Sequence, residues 1–361
     1  MRHSLTSLLS LFLVLVPYLF FPPLLHSQTH PSTFSIVAYD SAAEEWGVAV
    51  ASKFLAVGAA VPFARAGVGA IATQAWGNTT YGPEGLALLE MGVPAAELVR
   101  VLVSKDGERE RRQLGVVDAD GEAASWTGEK CFSWAGHVIG EAFCVQGNIL
   151  AGEEVVNRMA EAFRSTKGPL ARRLIAALRA GEEAGGDSRG KQSAALLVVR
   201  EAAGYSGYND RFVDLRVDDH PDPIQELERI FELHEQIFQG GAYVRLATLA
   251  LKGGKQRRAD QAFERAISIA RRYPKNPDLL NHIAWELAIN ELRLDEALEF
   301  AQKAVELAPD DGNIWDTLGE VHARRGHYSE AVKAEVRAVE LSEGNKEFQE
   351  KLEAWRKMLK E

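Results

Sequence analysis

Thr33-Phe34-Ser35-Ile36-Val37-Ala38-Tyr39 and Trp46-Gly47-Val48-Ala49-Val50-Ala51-Ser52 stand on either side of a polar turn at residues 40–45. In the first run Phe34, Ile36 and Ala38 alternate with Thr33, Ser35 and Val37, and the second run keeps the same period of two. That period sends successive side chains to opposite faces of a strand, so the pair reads as a β-hairpin. Outward from it, 68–75 reads as a third strand, and 83–91 and 94–103 as two helices parted by Gly92. Residues 113–117 and 123–127 flank the turn Asp118-Ala119-Asp120-Gly121 and read as a second hairpin. A strand at 141–146, helices at 153–164 and 169–180, and a last hairpin from 193–200 and 211–217 complete this half. Strands joined by hairpins, with helices segregated in pairs, argue against a doubly wound parallel sheet. They predict an α+β fold, a four-layer α-β-β-α sandwich.

Beyond Asp222 the chain loses its β-branched runs and fills with Ala, Leu, Glu and Arg, the composition of helix alone. Asp295-Glu296-Ala297-Leu298 recurs as Ser329-Glu330-Ala331-Val332, with Ala304 matched by Ala338 and Leu307 by Leu341, all at a spacing of 34 residues. Asp260-Gln261-Ala262-Phe263 and Pro274 stand 35 residues before Asp295-Glu296-Ala297-Leu298 and Pro309. Small alanines let two helices approach, the Asp or Ser caps the second helix, and the proline ends it. With Trp315, Leu318, Gly319, Tyr328 and Ala331 in order, the period resembles tetratricopeptide repeats. The reading is an all-α repeat domain at 241–342, in units 241–272, 273–308 and 309–342. A linker helix at 224–240 precedes it and a capping helix at 343–361 follows. Ala297 and Ala331 are expected at helix contacts and Trp315 mostly buried. The concave face of such a stack takes peptides, so a protein or peptide partner is expected there.

The 361 residues, 46% hydrophobic and 25% charged, suit a folded soluble protein of two domains. The N-terminal one is expected to keep its own core when the chain is cut near Phe231. A net charge of −10 without a dense basic run excludes nucleic acid and anionic membrane surfaces as partners. Two cysteines, Cys131 and Cys144, exclude a disulfide framework; they form either one bridge or two buried thiols. Arg2 and His3, then an apolar run from Leu8 to Phe21 closed by Pro22-Pro23, read as a secretory signal over 1–27. A periplasmic or secreted protein follows, with no membrane part beyond that segment; an uncleaved anchor is the rival reading.

Walker and dinucleotide motifs are missing, and the Gly-x-Ser-x-Gly string at Gly186-Asp187-Ser188-Arg189-Gly190 leads into a strand, where a nucleophile elbow would join a strand to a helix. His234-Glu235 opens a zincin-like string, but Phe238 stands where the second histidine belongs. The run Gly185-Gly186-Asp187-Ser188-Arg189-Gly190 reads as an anion nest or as a flexible turn. Asp218-Asp219-His220-Pro221-Asp222-Pro223 reads as a cation-binding cluster or, more simply, as a rigid exit from the last strand. No metal and no cofactor are expected, and the oligomeric state is open.

Seven blocks carry a family resemblance. They are Thr33-Phe34-Ser35-Ile36-Val37-Ala38, Gly47-Val48-Ala49-Val50-Ala51-Ser52, Ala66-Gly67-Val68-Gly69-Ala70, Ala72-Thr73-Gln74, Trp134-Ala135-Gly136-His137, Val145-Gln146-Gly147-Asn148 and Asp219-His220-Pro221-Asp222-Pro223. Together they resemble the domain of unknown function 1028 family over 33–223, which implies an N-terminal-nucleophile (Ntn) hydrolase-like fold for that domain. The family has no established substrate. The resemblance implies that Thr33, at the head of the first strand, is the nucleophile that attacks an amide or peptide-like substrate, with its own amine as base. Lys53 or Arg65 would lower its pKa, and Asn148 would hold the oxyanion. Gln74, His137, Gln146, Asp187 and Arg189 are the candidate substrate contacts. His30-Pro31-Ser32 precedes Thr33, so the chain must be trimmed before Thr33 has a free amine. The alternative is a non-catalytic scaffold whose repeats dock onto a partner.

Overall fold

The computed structural model describes residues 33–360; the predicted export signal at 1–27 lies outside them. Strands β1 (Thr33–Asp40), β2 (Glu45–Ser52), β7 (Gly136–Gly140), β8 (Phe143–Asn148), β9 (Ser193–Val199) and β10 (Arg211–Val217) form one sheet, in the order β10-β9-β2-β1-β8-β7. A second sheet holds β3 (Pro62–Arg65), β4 (Gly69–Ala75), β5 (Arg112–Asp118) and β6 (Ala123–Thr127) in sequential order. All these pairings are antiparallel. The opening hairpin occupies the centre of the large sheet, with Thr33 opposite Ser52 on one side and Asn148 on the other.

The period of two decides what each face meets. Val37, Val48, Val50 and Cys144 of the large sheet pack against Ala70, Ala72 and Val117 of the small one. Phe34, Ile36, Ala49 and Val145 point the other way, into α3 (Glu154–Ser165) and α4 (Leu170–Glu183). Ile71, Leu114 and Val116 point out of the small sheet into α1 (Tyr81–Glu90) and α2 (Ala95–Lys105). Each helix pair thus covers the outer face of one sheet. Cys131 and Cys144 are free thiols rather than a bridge. Cys144 is buried between the sheets, where its Sγ donates to the carbonyls of Val116 and Ala124 at 3.6 Å.

After α5 (Pro223–His234) and one π-helical turn (Glu235–Gln239) the chain runs through helices α6 (Gly240–Lys252), α7 (Gln256–Arg272), α8 (Pro277–Ile289), α9 (Leu294–Leu307), α10 (Gly312–Arg324), α11 (Tyr328–Leu341) and α12 (Lys346–Met358). Three antiparallel pairs, α6/α7, α8/α9 and α10/α11, stack in series, and α12 packs on the last. Ala297 and Ala331 are fully buried. Trp315 is only half-buried, short of the expectation, because its indole Nε1 donates to the Pro309 carbonyl at 2.8 Å and holds the ring at the turn.

The core does not stop at the composition break. Phe231 and Tyr243 belong to the same apolar cluster as Phe34, Met159 and Phe163. The rings of Phe212 on β10 and Tyr243 on α6 meet edge to face at 5.2 Å. All described residues fall in one compact unit.

Candidate functional site

Antiparallel pairing gathers the head of β1, the tails of β2 and β8, the tail of β4 and the head of β5 at one end of the two sheets. At that end the residues facing the gap between the sheets are polar: Thr33 and Ser35, Ser52, Gln74, Gln113, Gln146 and Asn148, each at most 2% exposed. Buried polar groups must pair with one another, and these do. Gln146 Nε2 donates to Ser35 Oγ at 2.7 Å, and Ser35 Oγ to Gln74 Oε1 at 2.6 Å. Gln74 Nε2 donates to Gln113 Oε1 at 2.8 Å and reaches the Thr33 carbonyl at 3.3 Å. Asn148 Nδ2 donates to the same Gln113 oxygen at 3.1 Å. Gln113 Nε2 continues to Thr127 Oγ1 at 2.9 Å and the Gly147 carbonyl at 2.8 Å. The Thr33 and Ser52 hydroxyls lie 3.2 Å apart.

The network is neutral, a chain of amides and hydroxyls spanning both sheets. Gln146 Oε1 has no partner within it among the described residues. His137 stands at its far edge, with Nδ1 2.9 Å from Thr127 Oγ1. Burial of one side of that ring lowers its pKa from the ordinary imidazole value, so the neutral form is favoured.

Of the residues singled out from sequence, Thr33, Gln74, Gln146 and Asn148 come together in this network, and His137 touches its rim through Thr127. Asp187 is next to it in space: its Oδ2 accepts from the Lys53 backbone N–H at 2.7 Å, one residue beyond Ser52. Arg189 is bound to that carboxylate through Nε at 3.1 Å and Nη2 at 2.9 Å. The segment is therefore a folded turn closed on its own aspartate. A cavity of about 100 Å³ beside it is lined by Ser52, Gly185, Gly186 and Asp187, room for about three waters. The Lys53 ammonium is exposed and donates to the Lys191 carbonyl at 3.1 Å. Arg65 lies elsewhere. It pairs opposite Gly69, at the other end of β4 from Gln74, roughly 17 Å along the strand, and its guanidinium meets Glu90 at 2.6 Å.

Ser35, Ser52, Gln113 and Thr127 were not legible as site residues. The signal that finds them is joint: each is a polar residue on the inward parity of its strand, and all lie at one level. The Asp218–Pro223 run is an exit segment, with His220 Nδ1 accepting from the Asp222 backbone N–H at 3.0 Å and Asp222 bound by Lys191 at 3.0 Å. Among the described residues no group of three or more His, Cys, Asp or Glu is arranged to hold a metal ion.

The family described as "Family of unknown function (DUF1028)" matches residues 33–227, the whole of the two-sheet region. The chain belongs to this family. Its DUF1028 domain is similar to the crystal structure of protein SPO2555 from Silicibacter pomeroyi, of the same family. Identity is 35% and the TM-score 0.52, over 56% of this chain and 85% of that one. A tetratricopeptide-repeat family matches residues 240–273, directly behind the DUF1028 domain. The repeats are also similar to the tetratricopeptide domain of Sgt2 from Aspergillus fumigatus, at 21% identity and a TM-score of 0.26, over 34% of this chain and 80% of that one. The first such domain of Spaghetti (RPAP3), bound to an HSP90 peptide, matches at 20% identity and a TM-score of 0.26, over 34% of this chain and 97% of that one. None of the curated proteins matches the chain.

Proposed function

We propose that the DUF1028 domain is an amide hydrolase of the N-terminal-nucleophile kind, exported and trimmed to begin at Thr33, with a protein or peptide partner held on the repeats. The observation that carries it is the position of Thr33. It is the first residue of the central strand, its hydroxyl lies 3.2 Å from Ser52 Oγ, and the Gln74 amide reaches its carbonyl. Freed of the preceding residue, Thr33 gains an amine whose pKa of about 8 suits a base at neutral pH. The amine takes the hydroxyl proton as Oγ1 attacks the amide carbon, then passes it to the leaving amine; water hydrolyses the ester that remains. The side-chain amides of Gln74 and Asn148, which donate to Gln113 Oε1 in the resting site, are the donors assigned to the developing oxyanion.

A second reading, an inert scaffold that acts through its repeats, is favoured by one observation. The two cations expected to assist the nucleophile are engaged elsewhere, Lys53 on the Lys191 carbonyl and Arg65 on Glu90. The mass of the mature N-terminus separates the two. A chain beginning at Thr33 that cleaves N-acyl amides, and loses turnover on Thr33→Ala while still melting cooperatively, supports the hydrolase. A chain beginning at Gln28 that turns over none of them supports the scaffold.

A further inference from the structure

We propose that the cavity between the β9–β10 loop and helices α6 and α8 binds a free amino acid with a large apolar or aromatic side chain. The cavity measures about 520 Å³, within the range of small-molecule sites, and both halves of the chain build it. It lies on the repeat side of β10, separate from the network around Thr33, and stands independently of the hydrolase reading.

The walls supply three kinds of contact. Tyr205 from the loop and Ile237 and Phe238 from the π-helical turn are 77%, 58% and 48% exposed, a cluster of apolar side chains that the fold itself leaves uncovered. Arg245 on α6 supplies a cation. Its Nη2 donates to the Gly204 carbonyl at 3.1 Å, which pins the guanidinium under the loop, while its Nε–H has no partner among the described residues. Glu286 on α8 supplies an anion, and it makes no ion pair among the described residues. The other charged pair on the wall, Arg211 with Asp214, is bonded to itself and cancels.

Two imidazoles complete the lining. Burial pushes the His234 pKa down to about 4, so the ring is neutral, and its Nδ1 lies 3.2 Å from the Gln239 side-chain amide. With Nδ1 accepting from that amide, the proton sits on Nε2 and offers a donor. His282 packs over Gly241, where a Cβ would fall 2.1 Å from its Nε2, so only glycine leaves the ring its place. A cation and an anion that have no charged partner among the described residues, together with an aromatic wall, match an α-carboxylate, an α-ammonium and an apolar side chain. The middle of a peptide has neither charge, and a peptide C-terminus has only the first.

Calorimetric titration of the full chain with L-phenylalanine tests this. Saturable binding is expected, weakened at least about tenfold for 3-phenylpropionate, which lacks the ammonium, and for phenethylamine, which lacks the carboxylate. Glu286→Gln should weaken L-phenylalanine about tenfold while leaving 3-phenylpropionate unchanged, and Phe238→Ala should weaken both. Arg245→Gln should weaken L-phenylalanine, and the other two variants keep the test open if the loop above Arg245 loosens. Absence of saturable heat with both L-phenylalanine and L-leucine overturns the proposal. So do equal affinity for phenethylamine, tighter binding of Gly-Phe than of L-phenylalanine, or a Glu286→Gln variant that binds like the parent.

Discussion

Gly115 shows how closely the two sheets meet at the polar end. A Cβ there would lie 2.3 Å from Gln146 Oε1 and 2.6 Å from its Cδ, and Gln146 is fully buried and held by Ser35. The Gln146 side chain therefore fills the space that a side chain at 115 would need. Gly115→Ala should force that amide aside, break its bond to Ser35 and cost about 1–3 kcal/mol, read by denaturant unfolding. A variant as stable as the parent would mean that the network yields freely, which a rigid oxyanion site cannot do. At this scale the sequence was half legible. Thr33 and Gln74 end strands that alternation had already drawn, so their inward parity could be counted. Gln113 also stands at a strand end, but only the register that places it opposite Gln74 makes it the hub. Arg65 was assigned by its nearness in the chain to the first strands, and antiparallel pairing carried it to the far end.

Single elements were legible where their pattern is strong and illegible at the edges of the sheets. The strands β3 and β7 went unread: each is an edge strand of four or five residues, only partly buried, with proline or glycine in it. The helix pairs of the second half follow from the repeat period, and so does the demand for small residues. Ala331→Leu should overpack α10 against α11 and cost about 1–3 kcal/mol. Trp315→Ala should cost less than the roughly 3–5 kcal/mol of a fully buried aromatic, because the indole is half in water. No spacing reveals the acid buried in the last repeat. Glu335 on α11 is fully buried against the Asp316 carboxyl, which the Lys351 ammonium of α12 meets at 2.7 Å. Burial first, and the Asp316 charge second, push the Glu335 pKa from 4.5 up to about 8. A carboxyl whose pKa is raised on folding stabilises in its protonated state, so that contribution is full below about pH 4.5 and is lost as pH rises toward 8. Melting temperature should therefore fall across that window. Glu335→Gln should flatten the fall and melt higher than the parent at pH 8, by circular dichroism at pH 5 and 8. A parallel decline in the variant would assign the effect to another group.

At the scale of the whole molecule, the change of composition at Asp222 marks a change of secondary structure and not a change of core. Composition reports the period of the local pattern, whereas a core is decided by which faces meet, and the face of α5 meets β9 and β10. Polar contacts tie the halves as firmly. The Glu235 carboxylate is buried in the π-helical turn, with Arg172 of α4 at 2.5 Å, Arg272 of α7 at 2.9 Å and the Tyr273 hydroxyl at 2.7 Å. Burial alone would raise its pKa, but the bonds from Arg172 and Tyr273 and the charges of both arginines outweigh that and hold it below the ordinary carboxylate value. Removing one partner from such a group strands the others, so Glu235→Ala should cost about 3–5 kcal/mol. A chain ending at residue 230 loses Phe231, Glu235 and Tyr243 at once, which uncovers Phe212 and leaves Arg172 without its acid. That fragment should be insoluble or melt without cooperativity, while the full chain should melt in a single transition by calorimetry. A soluble 33–230 fragment with a sharp transition of its own would show that the shared core is dispensable and restore the two independently folding domains that the composition suggests.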